Sequence, residues 1–199
     1  DQVIFVRVDP KRGKALVNGR SLDFLSIDHL VKAIEMERSA LLTKDFDPAK
    51  WLVELSRAYD KARSARGLPE GEATPVFDVL AQIAWARQKE EFFRDPSVDN
   101  FVPYSIVRFR ADLTRTLASD VTQTAEGRRL EISAGSFAKD TIFMYFPATR
   151  HLGSCGRIAL SRKPETVASM GSTDVLVVSP YTRARAKDCE PARKRDVSA

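Results

Sequence analysis

Residues 47–67 read DPAKWLVELSRAYDKARSARG, and this stretch decides the fold class. Asp47 is a residue type that accepts from the free N–H groups of a first helical turn. Pro48 suits the first helical position, where its missing N–H has no partner anyway. Gly67 supplies the stop. Between them Trp51, Leu52, Leu55, Tyr59 and Ala62 recur at helical spacing, while Lys50, Arg57, Lys61 and Arg66 fall on the other side. The spacing predicts an amphipathic helix with one buried stripe.

Downstream, residues 68–73 form a Pro/Gly/Glu loop, and Thr74-Pro75 opens a second helix. It carries Phe77, Leu80, Ile83 and Ala84, runs through Trp85 towards Phe92, and stops before Asp95-Pro96. A polar loop over 96–100 leads into a third helix over 104–118. From Val121 the period falls to two. Residues 121–124 and 128–133 predict a hairpin about Ala125-Glu126-Gly127. Residues 141–146 are an apolar strand whose expected partner is 157–160, with Gly153 and Gly156 marking the turn between them. Residues 174–178 are one more strand-like run, and 181–199 have almost no large apolar residues, so a loosely packed tail is expected. Upstream, 1–25 read as a hairpin with turns at Asp9-Pro10-Lys11-Arg12-Gly13 and Asn18-Gly19. Ser26 then caps a helix with Ile27, Leu30, Val31 and Ile34 on one stripe, extended by Leu41 and Leu42.

The fold class is therefore α+β. A main domain over 26–165 is helical to about residue 118 and β-rich after it, an N-terminal hairpin over 1–25 precedes it, and 166–199 hold a last strand and a basic tail. The order over 47–133, three helices and a hairpin, resembles a winged-helix DNA-binding domain, most directly over 74–133. That resemblance implies a third helix in the major groove and a hairpin on the DNA backbone. At about 100° per residue, Ile106, Phe109, Leu113 and Leu117 share the docking side of the third helix, with Arg108, Ala111, Asp112 and Arg115 roughly opposite. The resemblance thus points to Arg108 and Arg115 as outward groups suited to guanine edges or phosphates, with Arg110 at the stripe's edge. Arg128 and Arg129 flank the wing turn on opposite strand faces, so one of them serves a ligand, and Lys139 follows. The Asn18-Gly19 lead-in is similar to that of response-regulator output domains, although the 47–67 helix and the long 96–103 connection depart from that plan. A second reading stands beside this one. Asp112 can neutralise Arg108 or Arg115, Glu126 and Glu131 flank the wing arginines, and winged helices also bind proteins.

Lys and Arg number 32 against 27 Asp and Glu, giving a formal charge of +5 and favouring anionic partners without specifying one. Arg183, Arg185, Lys187, Arg193, Lys194 and Arg195 make a basic arm that neutralises phosphates or is simply solvated. No run reaches the roughly 20 apolar residues of a membrane span, and residues 3–8, interrupted by Arg7, are too short for a signal sequence. The chain opens at Asp1, as a piece of a longer protein would. Cys155 and Cys189 lack metal spacing and fit a reducing, cytoplasmic setting, with a bridge between them left open. No phosphate-loop, dinucleotide or metal motif appears, so no cofactor or metal is expected. Trp51, Trp85, Phe92 and Phe93 read as core at helical spacing; exposed, they would suit single-strand stacking.

Two functions follow. The first is nucleic-acid binding, double-stranded DNA foremost, through Arg108, Arg110, Arg115, Arg128, Arg129 and Lys139. The second is an assembly module that meets an acidic protein, with a homodimer compatible. The first needs the arginines on one positive surface; the second needs an exposed apolar patch, as around Phe92, Phe93 and Phe101. A cysteine-dependent enzyme would need His151 within reach of Cys155.

Overall fold

Asp47 behaves as its chemistry dictates. In the computed structural model, which describes residues 3–22, 26–135 and 137–162, its carboxylate accepts from the N–H groups of Ala49 and Lys50. This opens helix α2, Pro48–Ala65. Strands β1 (Val6–Asp9), β2 (Lys14–Val17) and β3 (Arg20–Leu22) and helix α1 (Ile27–Leu41) precede it. After it come β4 (Thr74–Pro75), α3 (Val76–Ala86), α4 (Glu90–Arg94) and α5 (Ile106–Ala118). Strands β5 (Arg128–Ser133), β6 (Ile142–Phe146), β7 (His151–Cys155) and β8 (Arg157–Arg162) follow. The architecture is α+β. The strand-like run at 174–178 and the basic arm beyond it lie outside the described residues.

The buried stripe of α2 joins α3, α5 and a three-stranded sheet of order β4-β8-β5 in one core. Tyr59, Phe109, Leu52, Leu55, Ile83 and Leu113 are its largest fully buried side chains, each adding about 2–3 kcal/mol of apolar burial. The Tyr59 hydroxyl donates to the Glu72 carbonyl at 2.9 Å, which satisfies its one polar atom. In the β5–β8 register, Leu130 faces Leu160 and Ile132 faces Ile158, so alternate residues enter the core.

Several expectations change here. Residues 121–124 and 128–133 do turn back on each other about Ala125-Glu126-Gly127, with Thr124 N donating to the Arg128 carbonyl, Leu130 N to the Thr122 carbonyl and a bridge from Gln123 to Arg129. But 128–133 also pair along their length with β8, which offers a matching apolar face. The 141–146 strand pairs with β7 instead of 157–160. Its turn is made by Pro147 to Arg150, with Arg150 at φ +51, so Gly153 lies inside a strand. The backbone at Gly156 crosses Gly135 so closely that a Cβ there would lie 2.2 Å from the Gly135 Cα. Thr74-Pro75 forms a short strand on β8, and α3 opens directly from it with Pro75 at the N-cap. The second helix does not run on to Phe92. It ends at Ala86, and the Gln88 side chain turns back to donate to the Ala84 and Val102 carbonyls while accepting from Val102 N.

The N-terminal hairpin is a three-stranded meander, because Asn18 and Gly19 both adopt positive φ, 51° and 85°, and return the chain into β3. This sheet does not join the C-terminal ones. Of the stripe expected on α1, Ile27 and Val31 are exposed, Leu30, Ile34 and Leu42 are half-buried, and Leu41 is buried. Leu41 packs with Val3 and Ala111 in a second, smaller core between the N-terminal segment and α5.

Candidate interaction surface

The α5 helix is capped by Ser105, whose hydroxyl accepts from Arg108 N. Phe109 and Leu113 dock on α2 as the periodicity requires, but Ile106 is exposed. The opposite face is not open. Ala111 is fully buried with Val3 and Leu41, and Asp112 is 1% exposed, held by Tyr104 and Arg108.

The arginines of this face serve as caps for a neighbour. Helix α1 ends without a glycine, leaving its last carbonyls unpartnered within the helix. Arg108 donates to the Ala40 carbonyl at 2.7 Å, and Arg115 to the Leu41 and Thr43 carbonyls at 3.4 and 2.9 Å. Cations at a helix C-terminus also meet the negative end of its dipole. Arg108 Nε further bonds the Asp112 carboxylate at 3.3 Å, and the Arg115 guanidinium lies 4.2 Å over the Phe46 ring. Arg110 donates to Asn18 Oδ1 at 2.7 Å and to the Val3 carbonyl at 3.4 Å, 4.0 Å above the Phe5 ring. Burial holds Arg110 and Arg115 below the usual arginine pKa.

Asp112 closes a polar chain inside the core. Trp51 Nε1 donates to the Tyr104 hydroxyl at 3.1 Å, which donates to Asp112 Oδ2 at 2.9 Å. Desolvation raises the carboxyl's pKa, and Arg108 opposes that rise. Arg87, paired to Glu54 at 2.6 and 2.8 Å, lies over the Tyr104 ring. Every group here serves another within the protein, so the arrangement is a staple.

Arg128 is also buried. It forks onto Asp60 at 2.7 and 2.8 Å and onto Ser56 Oγ at 3.0 Å, bringing β5 onto α2. Of its wing neighbours, Arg129 is exposed on the solvent face of β5 and Lys139 is exposed in the turn Ala138–Asp140. Arg108, Arg110, Arg115 and Arg128 therefore do not join these two in one open positive face.

His151 and Cys155 lie at opposite ends of β7, about 13 Å apart at strand spacing. His151 stacks on Phe146, while the Cys155 thiol is buried and desolvation pushes its pKa up to about 12. No thiolate forms there at neutral pH. In a Cys189→Ser chain, a thiol-reactive dye should label Cys155 only after denaturation; labelling of the native protein at the denatured rate would contradict this burial. Among the described residues no cluster of three or more His, Cys, Asp or Glu side chains could hold a metal, and no helix is long and apolar enough to cross a membrane.

The open feature is apolar. Trp85 at the end of α3, Phe93 on α4 and Phe101 beyond it are 56, 51 and 46% exposed, and Val98 between them is 89% exposed. Trp85 and Phe93 meet edge to face at 5.2 Å, and Phe92 contacts Trp85, Phe93 and Phe101 at 6.1, 5.7 and 5.8 Å. Two amides hold the loop that presents them: Gln88, by its clamp on Val102, and Asn100, whose Nδ2 donates to the Asp95 carbonyl at 2.9 Å. Helical spacing makes these rings read as core. The break at Ala86 turns them outward.

Comparison with protein families, with curated proteins and with solved structures finds no significant match.

Proposed function

We propose that the chain is a non-catalytic protein-interaction module built on a winged-helix-type core. The order α2, β4, α3, α5, β5, β8, interrupted by α4 and by the β6–β7 hairpin, with the three strands joined as β4-β8-β5, supports the core's resemblance to that plan. The observation that carries the function is the cluster of Trp85, Phe92, Phe93 and Phe101, interlocked yet three-quarters of its rings half-exposed. Aromatic groups presented on a stiff frame are the usual anchors of protein interfaces, because they bury much area and lose few rotamers on binding. The α5 arginines favour this reading over groove binding, since they already donate to the end of α1, Thr43, Asn18 and Val3.

A nucleic-acid reading keeps one supporting observation, the exposure of Arg129 and Lys139 on the β5–β8 sheet and its wing. One experiment separates the two. A photoreactive phenylalanine at Val98, in living cells, should give a discrete nuclease-resistant protein adduct that Phe93→Ser abolishes. Phe93→Ser should cost about 1–2 kcal/mol through its two edge-to-face contacts and leave the fold intact, as circular dichroism would check. A nuclease-sensitive adduct, or none beyond that of the same group at Arg57, would reject the protein reading.

A further inference from the structure

The aromatic patch has a charge of its own. Glu90, Glu91, Asp95 and Asp99 stand around it, all exposed, against Lys89 and Arg94. Arg94 is already held by Glu90 at 2.5 Å. The rim is therefore negative in a chain whose formal charge is +5. An anionic rim about an apolar centre selects by sign: it repels phosphates and carboxylates and attracts cations during encounter. The exposed face of Trp85 adds to that preference, because its ring attracts ammonium and guanidinium groups.

We infer that the occupant of this patch is a segment of another protein with bulky apolar anchors flanked by lysine or arginine. The inference rests on the interaction reading and gives its partner a chemistry. The apolar anchors would cover Phe93, Phe101 and Val98, while the flanking cations meet Glu91 and Asp99. The four rings are locked against one another, so docking orders few side chains on this side.

The test uses the full chain and two short labelled peptides, one amphipathic in leucine and lysine, the other with glutamate at every lysine. By fluorescence anisotropy the lysine peptide should bind about tenfold or more tightly than the glutamate peptide. Salt should shrink that ratio. Glu91→Lys/Asp99→Lys should remove the preference, with Glu91→Gln/Asp99→Asn as the milder variant if the first folds poorly. Trp85→Ala/Phe93→Ala should weaken the lysine peptide about tenfold. Equal binding of both peptides, or binding indifferent to these substitutions, overturns the inference. Self-association of the chain that Phe93→Ala abolishes would put a second copy on the patch and overturn it too. If the Val98 adduct persists while the charge preference is absent, this inference fails and the interaction reading stands. If the adduct is absent as well, both fail.

Discussion

Gly156→Ala is expected to cost about 4 kcal/mol or more, at the upper end of single-substitution effects. The reason is local and backbone-deep. An added Cβ would lie 2.2 Å from the Gly135 Cα and 2.3 Å from its N, and no side-chain rotation relieves a clash between main chains. Retreat is blocked on both sides. Gly156 N donates to the Ser133 carbonyl at 2.9 Å, and the Gly156 carbonyl accepts from Val76 N at 2.9 Å. Moving this residue would loosen β5, β8 and the start of α3 together. Gly67→Ala is the control: its φ is +66 but nothing stands within 4 Å, so only the left-handed penalty of about 1–2 kcal/mol applies. Urea denaturation of both variants measures the difference. Similar midpoints would mean that the crossing at Gly135 can open cheaply.

The second large effect is asymmetric. Asp60→Ala should cost about 3 kcal/mol, while Arg128→Met should cost about 1 kcal/mol. Both remove the same fork between β5 and α2. They differ in what is left behind. The Arg128 side chain is 7% exposed, so without Asp60 its charge stays buried with Ser56 Oγ as its remaining side-chain acceptor. The Asp60 side chain is 42% exposed, so without Arg128 it is hydrated. Methionine keeps most of the packing volume beside Tyr59. Equal losses in denaturant midpoints would show that water reaches the guanidinium as readily as the carboxylate.

The contrast between legible and illegible parts follows from distance along the chain. Helix α2 is legible because cap, proline, stripe and stop lie within one stretch. The Asn18-Gly19 turn is legible for the same reason, since positive φ is a property of those two residues. The role of the α5 arginines is not local. Arg108 and Arg115 meet carbonyls 68 and 74 residues away, and an outward arginine looks the same in sequence whether it faces water or another helix's end. Ala111 and Asp112 read as an open face for want of the same information. Gly153 and Gly156 point to a turn that β6 does not use, because glycine marks turns well, whereas the actual turn uses Arg150 in the left-handed region. The aromatic cluster shows a further ambiguity. Trp85, Phe92 and Phe93 have the spacing of a buried stripe, but α3 ends at Ala86 and Gln88 ties the following turn to Val102, leaving Trp85 and Phe93 exposed.

Helix α5 is gripped around nearly its whole girth, by α2 on one side and by β6, the N-terminal segment and the end of α1 on the others. A surface helix normally leaves half its positions free to vary. This one leaves few, because even its charged residues have assigned acceptors. In a saturation scan of the chain, α5 should behave as an interior strand does, with substitutions poorly tolerated at almost every register. Helix α1, whose Ile27, Val31 and Met36 are exposed, should accept more of them, chiefly away from Leu30, Ile34, Glu37 and Leu41. Variation among natural versions of this protein would then accumulate on α1 and spare α5, whatever partner the module serves.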